Sequence, residues 1–255
     1  MAATPKTKKQ IEREARAEQA ARMAYIGTLA SGLAHEIRSP LNAIRLNLDL
    51  LKEDLSDVTE CKQAEFGNRL GMISREVEGL QKLLTDFLTY ARPPRLEMLP
   101  TDLNHVLTEL QEFLKPEAQR RHIQIVLQFQ EQLYPIPLDQ NQFGRGVILN
   151  LLTNAMEQIG EHGTITLRTR ETSDFIEIAV DDNGGGVPKE NEARIFELFF
   201  STKNHGTGLG LAIARRIVQE HGGELMLENH SGKGATFVIR LPKSKILEFQ
   251  EPLPK

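Results

Sequence analysis

Two apolar seams with heptad spacing run through the first part of the chain and restrict what this part can become. Spacings of three and four residues alternate along most of each seam, a pattern typical of helices that pack side by side with knobs in holes. The first seam contains Ile26, Leu29, Leu33, Ile37, Leu41, Ile44, Leu48, Leu51 and Leu55, and the second Phe66, Leu70, Ile73, Val77, Leu80, Leu84 and Phe87. Helix is therefore predicted over 11–90, and Pro93 and Pro94 end it.

The polar stretch 56–60 separates the two seams and predicts the turn of a helical hairpin. A two-helix hairpin cannot cover both of its seams, whereas two copies paired as a four-helix bundle can. We therefore expect a homodimer; a monomeric hairpin packed against the rest of the chain is the alternative. Two spacings of four meet at Ile37, a stutter that locally unwinds a coiled coil, and Pro40 beside it is expected to bend the helix.

After Pro100 the apolar period changes to a mixture of helix and strand patterns. Strands are predicted at 122–129, 164–170, 175–180, 224–228 and 235–241, and helices at 103–113, 140–159 and 211–221. Helices beside a sheet of antiparallel appearance predict an α/β sandwich. The fold class is thus α + α/β: a dimerising two-helix hairpin followed by a sandwich domain.

Composition limits the expected location of the chain and its expected classes of partner. The net charge of −4 gives no reason to expect nucleic-acid or membrane binding. Cys61 has no second cysteine to pair with, which is typical of a reducing compartment. No apolar run reaches the ~18 residues that span a bilayer, so we expect a cytoplasmic location and no membrane segment in this chain. The predicted divisions are an N-terminal helical segment, the hairpin, a linker, the sandwich and a tail, at 1–22, 23–93, 94–100, 101–243 and 244–255.

One histidine points away from the first seam. At about 100° per residue, with Leu33 as zero, His35 falls near 200° and Ser39 near 240°, on the face turned to water. An exposed neutral imidazole can act as a nucleophile, and the adjacent Glu36 can accept or orient its proton. An exposed helical histidine considered alone usually has no function, so the rest of the chain must decide.

Four motifs in the second half carry chemistry. Asn150 and Asn154 share a helical face and can present amide oxygens to a hard cation, or form a plain polar stripe. The segment 181–188 (DDNGGGVP) follows a strand and lets backbone approach a ligand closely, or is an ordinary turn. The segment 195–203 (IFELFFSTK) contains aromatic residues, which are more often part of a hydrophobic core. Glycines at 206–210 open a helix, where free amides suit phosphate.

These motifs together resemble a known family. The string HEIRSPL at 35–41, followed by NAI, resembles the phospho-acceptor motif of sensor histidine kinases, in their dimerisation and phosphotransfer domain. The later motifs, in their order over 101–242, resemble the ATP-binding domain shared by histidine kinases, DNA gyrase, MutL-type repair proteins and some chaperone ATPases. The resemblance implies ATP-dependent autophosphorylation of His35, assisted by Glu36, and transfer to an aspartate of a response regulator.

The same resemblance implies roles in the nucleotide site. Asp182 would bind the adenine amino group, Gly184 and Gly186 would shape the adenine pocket, and Asn154 would bind Mg²⁺. The phosphates would contact Lys203, Gly206, Thr207, Gly208, Leu209 and Gly210, with 201–207 as the lid and Gly232–Gly234 as a final glycine element. Asn150 lines the site where ATP-hydrolysing relatives carry a water-activating Glu. Since an amide cannot take a proton, rapid ATP hydrolysis is not expected.

Three positions qualify the expected function. Ser39 stands where Asn or Thr is frequent, which puts phosphatase activity in doubt although a hydroxyl remains. Gly185 replaces a frequent Pro, which should loosen the turn after Asp182 and weaken nucleotide binding modestly. Leu46 points away from the seam below His35 and is a candidate docking residue for the response regulator, although single exposed leucines are ordinary.

Three classes of function remain open: an autophosphorylating kinase, a phosphatase or inactive binding module, and an ATP-hydrolysing machine of the gyrase type. Intact His35, Asn154, Asp182 and Lys203 count against an inactive module, and Asn150 counts against the machine.

Overall fold

The computed structural model describes residues 33–34, 36–51, 63–91, 96–203, 206–230 and 232–243. The chain divides into two compact units, Met1–Ala91 and Arg92–Lys255. The five predicted divisions remain predictions, except that Leu99 and Pro100, assigned to the linker, form part of a strand. His35, the predicted turn at 56–60, the segment 1–22 and the tail 244–255 lie outside the described residues.

The first unit contains helix α1, helical at 33–34 and 36–51, and helix α2, Gln63–Ala91. In each helix one half of the predicted seam is covered and the other half is not. Leu51 is buried, and Ile73, Leu80 and Phe87 are half-buried. Members of the uncovered half are 41–55 % exposed: Leu41, Leu48, Leu70, Val77 and Leu84. The uncovered residues of α2 lie seven apart and form one apolar stripe along the helix.

The second unit is a five-stranded sheet with helices against it, as predicted. The strands are β1 Leu99–Thr101, β2 Ile123–Gln128, β3 Ile136–Leu138, β4 Gly163–Glu171, β5 Phe175–Asp182, β6 Glu224–Asn229 and β7 Ala235–Pro242. The sheet order is β2-β4-β5-β7-β6, and β1 pairs separately with β3. The expectation of an antiparallel sheet is wrong at one edge: β2 and β4 are parallel, because the chain between them crosses over through helices.

The helices of this unit are α3 Leu103–Arg120, α4 Gln140–Phe143, α5 Leu149–Ile159 and α6 Gly210–Glu220. A π-helical turn, Gly144–Ile148, joins α4 to α5, so the single helix predicted at 140–159 is helical throughout but not uniform. Such turns often occur at functional sites. The prediction for α3 stopped at Phe113, whereas the helix continues past Pro116 inside it. Short strands β1 and β3, each containing a proline, were not predicted.

Strand β5 places a carboxylate at the edge of the core. Alternate residues of a strand face one side of the sheet, and Ile176, Ile178 and Val180 are almost fully buried. Asp182 continues the same row at the end of the strand, in register with Ile165 and Ala235 on the neighbouring strands. Helix α5 packs against β4 and β5, so the Asp182 side chain belongs to the helical side of the sheet.

A buried histidine ties α6 to the start of α4. The Nδ1 of His221 lies 2.8 Å from the carbonyl oxygen of Ile217, and Nε2 accepts a hydrogen bond from Asp139 N at 3.1 Å. This pair of contacts fits the neutral tautomer with its proton on Nδ1. Burial lowers the pKa of His221. The carboxylate of Asp139 in turn caps α4 by accepting from Gln142 N at 3.0 Å.

Among the described helices, none combines the length and the apolar character that a membrane crossing needs.

Candidate nucleotide site

Asp182 is a buried carboxylate at the end of β5. It is 9 % exposed, and its Oδ1 accepts a hydrogen bond from Gly184 N at 2.9 Å. Burial raises the pKa of Asp182, and hydrogen bonds from the amides of Gly184 and Ala235 act in the opposite direction. A carboxylate in such a place is suited to accept from an amino group, because hydrogen bonds strengthen where water is excluded.

The turn after Asp182 brings backbone close to the end of α5. A Cβ on Gly184 would lie 3.0 Å from both Asp182 Oδ1 and the carbonyl carbon of Gln158. Gly186 has a φ of +71°, which favours glycine, and its Cβ would lie 2.9 Å from the carbonyl oxygen of Gly234. Gly185 has no positive φ, and a Cβ there would meet nothing within 4 Å. Two of the three glycines are thus needed by the turn itself.

Asn229, which the sequence analysis missed, holds the far end of this turn. Its Oδ1 accepts from Val187 N at 2.9 Å, and its Nδ2 donates to Val187 O at 2.6 Å and to Glu192 Oε1 at 2.7 Å. Gly232 N also donates to Gly185 O at 3.0 Å. The only sequence signal for Asn229 is its place between a predicted strand and the last glycine element.

The two asparagines of α5 contact different parts of the site. Asn150 Nδ2 donates to Gly210 O at 2.6 Å, so this side chain holds the start of α6. The Oδ1 of Asn154 accepts from Lys203 Nζ at 2.9 Å. The same Nζ forms an ion pair with Glu157. Glu157 was not among the predicted residues, although its spacing of three from Asn154 places it on the same helical face.

The glycine loop presents the N-terminus of α6. The first helical residue is Gly210, and its N-cap residue, Leu209, makes no side-chain capping hydrogen bond. Gly208 has a φ of +63°, and a Cβ on it would lie 2.4 Å from the carbonyl carbon of Phe199. Leu209 N donates to Thr207 Oγ1 at 3.4 Å. Uncapped amides and the positive end of the helix dipole suit a phosphate group.

Part of the predicted lid folds around Lys203. Lys203 N donates to Ser201 Oγ at 3.1 Å, and Gly206 N donates to Lys203 O at 3.4 Å. Residues 204–205 of the predicted lid 201–207 lie outside the described residues. Lys203, Asn154 and the uncapped start of α6 therefore supply a cation, an oxygen ligand and free amides along one edge of α5.

These residues fit ATP with Mg²⁺. Asp182 supplies an acceptor for an amino group, the glycines leave room that a Cβ would fill, and Lys203 with α6 supplies positive charge. The described residues contain no group of three or more His, Cys, Asp or Glu side chains placed to hold a metal. Mg²⁺ bound beside phosphates usually takes only one or two protein oxygens, and Asn154 Oδ1 offers such an oxygen.

On the first unit, the structure describes the surroundings of the predicted acceptor but not His35 itself. Glu36 is half-buried and Ser39 is exposed, both within α1. Leu46 is 61 % exposed, as predicted from its angle on the helix.

Comparison with known families decides what kind of chain this is. The model of the His Kinase A (phospho-acceptor) domain matches residues 25–95. The model of the histidine kinase-, DNA gyrase B- and HSP90-like ATPase matches residues 139–245. The chain belongs to the histidine kinase family. Both halves of the resemblance noted in the sequence are thereby confirmed.

Its relatives are sensor kinases. The sensor histidine kinase ZraS of Klebsiella oxytoca is 36 % identical over 93 % of this chain and 50 % of its own length. The signal transduction histidine-protein kinase AtoS of Escherichia coli K12 is 33 % identical over 91 % of this chain and 37 % of its own length. The chain thus spans about half or less of the curated relatives that it matches.

Solved structures agree on the architecture. The histidine kinase ThkA, in complex with the response regulator protein TrrA, has a TM-score of 0.76 at 25 % identity, covering 94 % of this chain and 68 % of ThkA. Full-length ShkA in complex with AMPPNP has a TM-score of 0.61 at 28 % identity, covering 82 % of this chain and 44 % of ShkA. The hairpin followed by the α/β sandwich is therefore the fold of histidine kinases.

Proposed function

We propose that this chain is the catalytic core of a sensor histidine kinase, which transfers the γ-phosphoryl group of Mg-ATP to His35 and then to an aspartate of a response regulator. One observation carries the proposal. A nucleotide-type site, with the buried Asp182 at one end and the uncapped α6 with Lys203 at the other, belongs to the same chain as a phospho-acceptor domain.

Each site residue has a role in this proposal. Asp182 accepts from the adenine amino group, in the space left by Gly184 and Gly186. Asn154 supplies an oxygen to Mg²⁺, which neutralises charge on the phosphates during transfer. The phosphate oxygens accept hydrogen bonds from the Lys203 ammonium and from the backbone amides of the glycine loop. Phosphoryl transfer needs mainly positioning and charge neutralisation. Glu36 accepts or orients the ring proton of His35.

Asn150 favours transfer over hydrolysis. Its amide cannot act as a general base, and its Nδ2 already donates to Gly210 O at 2.6 Å. An ATP-hydrolysing machine would need a proton acceptor at this point. We therefore expect slow steady-state ATP hydrolysis, and rapid turnover of ATP without phosphorylation of the chain would favour the machine instead.

The exposed stripe on α2 supports a homodimer. Leu70, Val77 and Leu84 are 41–55 % exposed in a single chain, and a second hairpin would cover them in a four-helix bundle. Val77→Asp is expected to shift the chain towards a monomer in analytical ultracentrifugation. Leu46→Asp is the matched control, because Leu46 lies outside the two uncovered seam halves; an unchanged dimer in Val77→Asp would contradict the arrangement.

The partner proposed for phosphotransfer is the receiver domain of a response regulator. ThkA, which shares this fold, has been solved with the response regulator TrrA. Leu46 is an apolar side chain, 61 % exposed, on α1 and eleven residues after His35 in the sequence. If Leu46→Asp transfers phosphoryl groups to the cognate regulator at the native rate, Leu46 is not a docking residue.

ATP as substrate and a lone cysteine, Cys61, favour a cytoplasmic location for this core.

Incubation with γ-labelled ATP and Mg²⁺ tests the acceptor directly. Acid-labile, alkali-stable label is expected on the native chain and not on His35→Gln. Label that persists in His35→Gln would assign the acceptor to another residue, and no label on either chain would point to a phosphatase or binding role.

A further inference from the structure

Glu157 stands beside two residues of the nucleotide site without a role in the reaction described above. It lies on α5 three residues after Asn154, and its carboxylate forms an ion pair with Lys203 Nζ. That same Nζ donates to Asn154 Oδ1 at 2.9 Å. The side chains of Lys203 and Glu157 are 31 % and 44 % exposed. A pair exposed to this degree is screened by water and separates at small cost.

The backbone of Lys203 is fixed independently of this ion pair. Lys203 N donates to Ser201 Oγ at 3.1 Å, and Lys203 O accepts from Gly206 N at 3.4 Å. The ammonium group, at the end of a flexible four-carbon stem, can therefore change partners while its main chain stays in place.

The observed pairing uses groups that bound nucleotide would also use. The Lys203 ammonium donates to Asn154 Oδ1 and so occupies a lone pair that the proposed Mg²⁺ would need. The positive charge of the same ammonium would also neutralise a phosphate. A triphosphate brings more negative charge than one carboxylate and so competes for Lys203.

We propose that Glu157 is a positioning residue, which holds the Lys203 ammonium on α5 in the nucleotide-free protein and yields it to the phosphates when nucleotide binds. This inference rests on the proposed function and adds a partner to it. Its direct consequence is that Glu157 opposes nucleotide binding, because the ion pair must separate before Lys203 contacts phosphate.

Isothermal calorimetry of the full chain with Mg-AMPPNP tests the competition. Glu157→Gln is expected to lower the Kd roughly twofold to fivefold, the range for a partly exposed ion pair. Lys203→Met is expected to raise the Kd. In a Lys203→Met background, Glu157→Gln should have no further effect. Glu161→Gln makes the same change of charge at an exposed residue just beyond α5 and is the matched control. An unchanged or raised Kd in Glu157→Gln, or the same gain with Met at 203, would overturn the proposal.

Acetylation of the nucleotide-free chain, with Lys203 followed by peptide mass spectrometry, separates this proposal from the proposed function because it reports on the Lys203 Nζ itself. Glu157→Gln is expected to raise the acetylation rate of Lys203 relative to the native chain and to Glu161→Gln, since the ion pair shields Nζ. Equal rates in all three would show that Glu157 does not hold the Lys203 ammonium. Failure of the native chain to bind AMPPNP would refute the nucleotide site instead, and the acetylation result would still decide on the ion pair.

Discussion

Replacement of Gly234 by alanine should damage the nucleotide site through backbone geometry alone. Gly234 has a φ of +112°, and a Cβ there would lie 1.8 Å from the carbonyl oxygen of Asp182 and 3.0 Å from Asn183 Cα. These contacts involve backbone, which cannot rotate away as a side chain does. The strand end that carries Asp182 must therefore move.

Gly232, in the same loop, provides a control that separates the cost of a left-handed backbone conformation from the cost of steric overlap. Gly232 also has a positive φ, +76°, but a Cβ there would meet nothing within 4 Å. Gly232→Ala should lower the free energy of unfolding only by the cost of the left-handed conformation, about 1–2 kcal/mol. Gly234→Ala should add overpacking, about 1–3 kcal/mol more, which corresponds to roughly 2–12 °C in Tm for a unit of this size.

The assay is thermal unfolding of both variants, followed by titration with a fluorescent ADP. Gly234→Ala is expected to melt below Gly232→Ala and to bind ADP more weakly, since it displaces Asp182. Equal melting temperatures and equal ADP affinity in the two variants would refute the claim that Gly234 is required by its contact with Asp182.

Three further predictions follow from single residues. Asp182→Asn should weaken nucleotide binding roughly tenfold to a hundredfold, from about 1.5–3 kcal/mol for a hydrogen bond to a charged group; because burial raises the pKa of Asp182, its charge destabilises the nucleotide-free fold, so the Tm of this variant should not fall. Burial lowers the pKa of His221, so the unfolded chain takes up a proton first and the free energy of unfolding should drop as pH falls through about 6.5; urea unfolding should show a flatter pH dependence in His221→Gln but not in His105→Gln, whose histidine is exposed. Gly185→Pro, at a position with open space and no positive φ, should tighten nucleotide binding roughly twofold to fivefold by restricting the turn, from about 0.4–1 kcal/mol of chain entropy; an unchanged Kd by calorimetry would defeat this idea.

The sequence was sufficient for the elements of the second unit that have a clear period. Strands β4 to β7 and helix α6 were predicted within two residues at each end, because alternation along strands and glycines at the helix ends mark them. Strands β1 and β3 escaped prediction since three residues with a proline carry no period. The parallel pairing of β2 with β4 is a property of chain path, and local pattern does not report it.

The site shows a similar division between local motif and tertiary contact. Asp182 and the glycines could be proposed as site residues from the sequence because they cluster in short strings. Glu157 and Asn229 act through residues 46 and 42 positions away in the chain, Lys203 and Val187, and no local string records such contacts. The second seam was correct for Ile73, Leu80 and Phe87, whereas Leu70, Val77 and Leu84 remain uncovered because a single chain lacks the second hairpin that we propose.

Intact-mass spectrometry without acidification, after incubation with Mg-ATP, tests the central claim most directly, because it links the nucleotide site to the acceptor in one measurement. The native chain is expected to gain the mass of one phosphoryl group, and both His35→Gln and Asp182→Asn are expected to gain none or to gain it far more slowly. A phosphoryl group on His35→Gln, or native-rate phosphorylation of Asp182→Asn, would contradict the assignment of His35 as acceptor or of the Asp182 site as the source of ATP.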